Sequence, residues 1–148
     1  MYVVCDEGIR MAYCIRRVRS RFEQELYVPF MKKIEQDERV IRQDIAQGRL
    51  YLLEENGKGV FIALVTHHPG EICELRNIRS IEHAGSEQYE RTLIRFLMAV
   101  HQQDFKRMVI RMRLSMELNT LMLNHLGFVH VQFDTNEKNP IVYERTFD

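Results

Sequence analysis

Apolar and polar residues alternate with two different periods along this chain, and the change between them is sharpest over residues 107–128. Met108, Ile110 and Met112 alternate with Val109, Arg111 and Arg113, the two-residue period of a strand. Ser115 predicts a helix start, because its hydroxyl can accept one of the amide protons left over there. Leu118, Leu121, Met122, His125 and Leu126 then recur at helical spacing. Gly127 stands where a helix ends on a left-handed residue, and Phe128 opens a second alternating run, Val129, Val131 and Phe133 against His130 and Gln132. The segment predicts strand, helix, tight stop and strand.

The rest of the chain divides in the same way. Residues 1–11 read either as a short strand ending at Gly8 or as a loose tail. Tyr13 to Val18 predicts a strand running into Arg16, Arg17, Arg19 and Arg21. Ser20 caps a predicted helix with Phe22, Leu26 and Phe30 on one side. Pro29 is expected to kink or break it, since proline lacks an amide proton and crowds the preceding turn. Asp37 caps a second helix carrying Val40, Ile41 and Ile45, with Gly48 as its stop. RLYLLEE, Asn56-Gly57 and GVFIALVT form a hairpin, the Asn-Gly pair being the strongest short turn signal. The returning strand is apolar on both faces, which predicts a central, buried position. His67-His68-Pro69-Gly70 reads as a turn, 71–81 as a strand, and Gly85-Ser86 as the start of a helix over 86–105. Tyr89, Leu93, Leu97 and Val100 mark the inner stripe of that helix, supported by Phe96. The loop DTNEKNP and the strand IVYERTF close the chain. The predicted order is β-α-α-β-β-β-α-β-α-β-β.

A length of 148 residues is one domain's worth, and 45% apolar with 28% charged residues places the chain among globular proteins. Lys+Arg and Asp+Glu both number 21, a balance that argues against a general binder of nucleic acid or of a membrane surface. Cys5, Cys14 and Cys73 are an odd count with no Cys-x-x-Cys, which fits free thiols and a cytoplasmic location. MYVVC is too short for the core of a signal peptide, and no run approaches the ~20 apolar residues of a membrane span.

Among candidate chemical groups, Cys73 has no histidine at a set distance and reads as a small buried apolar residue. His67 and His68 are neighbours that a strand would point to opposite faces, a poor metal pair, so no metal is expected. His83 reads as a polar loop residue. Met108, Met112, Met116 and Met122 read as core filler. The arginine cluster has two readings beyond a solvated face: phosphates of a coenzyme or an acidic substrate in an enzyme, or RNA or an acidic partner in a binding module.

The ending Leu126-Gly127-Phe128, together with the element order over roughly residues 12–147, resembles the GNAT superfamily of N-acetyltransferases. The resemblance implies one GNAT-like domain over 1–148, α/β (α+β) in class, with a single mixed, mostly antiparallel sheet flanked by about four helices. It implies acetyl-CoA as co-substrate, held by the strand at 71–81 and by the start of the next helix: Ile78, Arg79, Ser80, Ala84, Gly85, Ser86, Glu87 and Gln88. Asn119 is a further coenzyme candidate. Free amides and the positive end of a helix favour a pyrophosphate.

The chain departs from the family pattern in two places. The family's Arg/Gln-x-x-Gly-x-Gly/Ala, aligned through Leu75, Ile78 and Leu93, puts its basic position on Gly85 and its small positions on Gln88 and Glu90. The last helix has Leu123 where a tyrosine acid is frequent, with Tyr143 or Tyr51 as substitutes. Glu74 is the candidate general base, its alternative being a strand carboxylate paired with Arg76. The expected activity is acetyl transfer to a small-molecule or peptide amine by direct attack. A catalytically degenerate domain acting as a binding or regulatory module is the alternative. No membrane partner is expected, and a homodimer stays open.

Overall fold

The two-residue alternation in the middle of the chain becomes the centre of a sheet. The computed structural model describes residues 2–5, 12–81, 87–112, 116, 118–132 and 141–147. In chain order the elements are β1 (Tyr2–Cys5), β2 (Ala12–Val18), α1 (Arg21–Met31), α2 (Glu38–Ala46), β3 (Gly48–Glu55), β4 (Lys58–His68) and β5 (Ile72–Ser80). They continue with α3 (Glu87–His101), β6 (Arg107–Arg111), α4 (Thr120–His125), β7 (Val129–Gln132) and β8 (Ile141–Thr146). The eight strands form one sheet in the order β1-β2-β3-β4-β5-β6-β8-β7. Every neighbouring pair is antiparallel except β5 and β6, which are parallel and joined by α3, as a crossover between parallel strands requires.

Alternation sorts the side chains onto two faces. Leu50, Leu52, Ile62 and Leu64 point to one side, where Val28 and Met31 of α1 and Ile41 and Ile45 of α2 cover them. Tyr51, Leu53, Phe61, Ala63 and Val65 point to the other, against Leu93, Ile94 and Leu97 of α3 and Met122 and Leu123 of α4. Burial of Val60 through Thr66 accounts for the unbroken apolar run of β4. Asn56 and Gly57 take φ of 51° and 81°, both positive, as the tight hairpin turn requires. Met108, Met116 and Met122 are buried core residues, and Met112 packs against that core.

Several local expectations change. Helix α1 continues two residues past Pro29, whose missing hydrogen bond falls toward the exposed residue Glu25, where water can replace it. Phe22 and Leu26 are 81% and 55% exposed, because the buried positions of α1 are Val28 and Met31. The polar Gln24 also turns inward, its amide donating to the Val18 carbonyl at 3.1 Å, which hides the stripe in the sequence. His67 and His68 belong to β4, and the turn is Pro69 to Glu71. Helix α3 ends at His101, short of residue 105. Helix α4 starts at Thr120, capped by Asn119, whose Oδ1 accepts from the amides of Leu121 and Met122. Ser115, the expected helix start, lies outside the described residues. Ser86, the expected cap of α3, also lies outside them, as does the loop over 134–140. Among the described residues no helix is long and apolar enough to cross a membrane.

Two glycines are required for different reasons. Gly127 has φ of +89° and closes α4 with paired bonds, Phe128 N to Leu123 O at 2.9 Å and Gly127 N to Asn124 O at 3.0 Å. Gly48 does not stop α2, which ends on Gln47. It opens β3, where an added Cβ would lie 2.2 Å from the Val65 carbonyl oxygen and 2.9 Å from that of Asp44.

His101 is fully buried at the end of α3, and its Nδ1 lies 2.7 Å from the Leu97 carbonyl. A carbonyl only accepts, so Nδ1 carries the proton and Nε2, which has no partner among the described residues, is the bare nitrogen. Burial pushes the imidazole down from 6.5 to about 4.

Gly48→Ala is expected to cost about 3 kcal/mol, because backbone oxygens cannot step aside. Gly127→Ala is expected to cost about 1–2 kcal/mol for the left-handed backbone, since the Arg145 side chain it would meet can swing away. Urea midpoints check the ranking. For His101 the unfolded chain takes up a proton near pH 6.5, whereas the fold resists until about pH 4. Its contribution is therefore present above pH 6.5 and lost as pH falls toward 4, up to about 3 kcal/mol. Urea unfolding of His101→Phe across this range should show a shallower decline than the wild type.

Candidate active site

The register between β4 and β5 slips by one residue at the middle of β5. Val65 faces Leu75 and Leu64 faces Asn77, so Arg76 is an extra residue on β5. Before the bulge, Cys73 and Leu75 point into the α3 core and Glu74 to the opposite face. After it, Arg76 and Asn77 both reach toward α1 and α2, and Ile78 returns to the α3 core. A bulge bends its strand and increases the local twist.

The consequence appears on the other edge of β5. Among the described residues its parallel ladder with β6 holds three pairs, Ile72↔Arg107, Cys73↔Met108 and Glu74↔Val109. Both strands continue beyond that point, β5 to Ser80 and β6 to Arg111, but Leu75 to Ile78 have no ladder partner on the β6 side among the described residues. The sheet is split there, next to the start of α3.

Glu74 sits at the root of the split, 2% exposed. One carboxylate oxygen is 3.1 Å from His68 Nε2 and 3.7 Å from Arg111 Nε, and the other is 3.4 Å from Arg76. Arg76 also donates to Asp44 of α2 at 3.1 Å. Burial works against the Arg76 charge, and the carboxylates of Glu74 and Asp44 outweigh it, leaving the guanidinium above its ordinary value. His68 Nε2 is also 3.0 Å from the Thr66 hydroxyl. Next to this group, Asn77 donates to the Met31 carbonyl at 3.1 Å, fastening the end of α1 to β5, while its buried Oδ1 has no partner among the described residues. Sequence reasoning paired Glu74 with Arg76 but missed His68, Arg111, Asp44 and Asn77. The bulge that brings Arg76 and Asn77 to one face leaves no periodic signal.

The other candidates divide between two places. Ile78, Arg79 and Ser80 form the end of β5. Ala84, Gly85 and Ser86 lie outside the described residues. Glu87 and Gln88 are in the first turn of α3. The Glu87 carboxylate is 3.5 Å from Arg91 and accepts from Asn119 at 3.2 Å. Asn119 thus ties the start of α4 to the start of α3, with its oxygen on α4 and its nitrogen on Glu87. Leu123 is fully buried and offers no acid. Tyr51 lies on β3, separated from β5 by β4. Tyr143 lies on β8 opposite Ile110, one strand from the split. The Cys73 thiol is buried, donates to the Arg107 carbonyl at 3.5 Å and is pushed up to about 12 by burial, as a packing residue rather than a nucleophile. Among the described residues no group of three metal-ligating side chains occurs.

Neither a family model nor a curated protein sequence matches the chain. Solved structures do. A Bacillus subtilis acetyltransferase in complex with CoA superposes with a TM-score of 0.75 at 10% identity, over 90% of this chain and 98% of that one. A GNAT family acetyltransferase from Elizabethkingia anophelis with acetyl-CoA bound gives 0.70 at 14% identity, over 90% and 97%. The ribosomal-protein-S18-alanine N-acetyltransferase of Escherichia coli gives 0.73 at 14%, over 92% and 94%. The chain therefore has the GNAT acetyltransferase fold across most of its length.

Glu74→Gln keeps the shape but removes the charge that Arg76 and Arg111 face. It is expected to cost about 2–3 kcal/mol, below the ~3–5 kcal/mol of a fully buried pair because both arginines reach solvent. Guanidinium denaturation of this variant checks the value.

Proposed function

We propose that the chain is a GNAT-type N-acetyltransferase that uses acetyl-CoA to acetylate an amine. The observation that carries this is the split between β5 and β6. It leaves a strand edge of backbone donors and acceptors from Leu75 to Ile78, which suits an extended, amide-bearing chain such as the coenzyme's pantetheine arm. The end of β5 then leads to α3, whose start offers amides and the positive end of a helix dipole to a pyrophosphate. Glu87 would oppose phosphate there, and its contacts with Arg91 and Asn119 reduce that opposition. Two of the structures sharing this fold contain CoA or acetyl-CoA, which supports the same class of ligand here.

Acetyl-CoA, when bound, supplies an activated acyl thioester. This chain's residues would position the amine, accept its proton and stabilise the developing oxyanion. An amide from the Leu75–Ile78 stretch would be the oxyanion donor. Glu74, at the root of the split, is the candidate base for the amine entering from the α1 and α2 side, directly or through one water. The buried Oδ1 of Asn77 is a second acceptor on that side. Because Leu123 replaces the frequent tyrosine, the leaving thiolate would be protonated by water or by Tyr143, the tyrosine one strand from the split. The site belongs to a single domain spanning the chain, and a homodimer is compatible with it.

Acetyl-CoA at 100 times its dissociation constant should stabilise the fold by about 2.7 kcal/mol, a rise of several degrees in melting temperature. Thiol release on adding a panel of amines and amino-terminal peptides should then show turnover, and Glu74→Gln should lower kcat more than it raises KM. No shift with millimolar acetyl-CoA would remove the enzyme reading. A shift without turnover on any amine would favour the binding-module alternative.

A further inference from the structure

At the opposite end of α3 from the coenzyme candidates, where β2 ends and β3 begins, an open groove of about 720 Å³ lies on the α3 face of the sheet. Arg17, Arg19 and Arg49 border it, and Tyr51 and Phe96 form its wall. Asp104 is the one acid among its described lining residues, 3.5 Å from Arg49 and largely exposed. The chain as a whole has no net charge, so this is a local concentration of positive charge. Burial together with the like charges of Arg19 and Arg49 pushes the Arg17 guanidinium below its ordinary value, so the arginines are crowded rather than compensated. No ion pair with a carboxylate forms at Arg17 or Arg19 among the described residues. The buried Nε of Arg49 has no hydrogen-bond acceptor among the described residues. The C-terminal end of α3 also meets this groove, and its dipole opposes an anion. That dipole end amounts to about half a charge, which three guanidinium groups outweigh.

We infer that this groove is a binding site for a compact multivalent oxyanion, of the phosphate or pyrophosphate class, separate from the acetyl-CoA site. Planar guanidinium forks match tetrahedral oxyanions, and Arg17 and Arg19 offer such forks with no carboxylate partner among the described residues. The groove is bounded by the aromatic wall and by Asp104, and the chain carries no net charge, so a compact anion fits better than a nucleic-acid backbone.

The test is calorimetric titration of the wild type with inorganic pyrophosphate at low ionic strength, repeated at increasing sodium chloride and with saturating acetyl-CoA. Saturable binding of one equivalent that weakens with salt is expected, unchanged by acetyl-CoA. Arg17→Gln and Arg49→Gln should each weaken it about tenfold, the factor of one lost charge-assisted bond. Asp104→Asn, a change at an exposed side chain, should tighten it severalfold and keeps the test decisive if an arginine variant folds poorly. Absence of binding at millimolar pyrophosphate would overturn the inference. So would equal affinity in the arginine variants, an unchanged or weaker affinity in Asp104→Asn, or displacement by acetyl-CoA. Inorganic phosphate and ADP, run alongside, distinguish a free anion from a phosphate ester. Since no step requires acetyl-CoA to bind, the anion site and the acetyltransferase reading stand or fall separately.

Discussion

Where β5 carries Arg76 as an extra residue opposite β4, the strand cannot stay in register with both of its neighbours. The bulge bends β5, and the parallel ladder to β6 stops two residues earlier, at Glu74. Without the split, the edge of β5 would be spent on β6 and no chain could lie against it. The same residue changes which side chains share a face. It sends Arg76 and Asn77 together toward α1 and α2, where one holds Asp44 and the other holds the end of α1. The opening in the sheet and its attachment to the two N-terminal helices therefore have one cause.

Electrostatics then fixes what stands at the root of the opening. A carboxylate as buried as Glu74 is costly unless compensated, and His68, Arg76 and Arg111 compensate it from β4, β5 and β6. This arrangement ties both arms of the split to one side chain. It gives Glu74 a structural role beside its candidate role as a base, so a change there acts on stability as well as on any activity. The hydrophobic remainder of β5 is unremarkable in comparison: Cys73, Leu75 and Ile78 pack under α3 as any central strand would.

Much of this architecture is legible in the sequence where a single period dominates. Alternation defines β6, an unbroken apolar run defines β4, Asn56-Gly57 defines the hairpin, and Gly127 defines the end of α4, each legible without knowledge of a tertiary contact. Failures fall where tertiary contacts override local pattern. Asn119 caps α4, and its side chain also reaches Glu87 of another helix, a contact that the local pattern does not show. Gly48 is required by the approach of β4, not by the end of α2. Within the site, Glu74 was visible as a strand carboxylate, but its partners depend on strand order and on a bulge that no alternation reveals. Ala84, Gly85 and Ser86 remain expectations drawn from resemblance alone.

The central claim is that the edge of β5 opened by the bulge receives acetyl-CoA. Amide hydrogen exchange measured residue by residue, in the free and acetyl-CoA-saturated protein, tests it most directly. In the free protein the Leu75–Ile78 amides that point away from β4 should exchange much faster than those of β4. Saturation should slow them selectively, leaving β2 and β3 unchanged. Full protection of those amides before any ligand is added, or exchange that stays fast at saturation, would contradict the account.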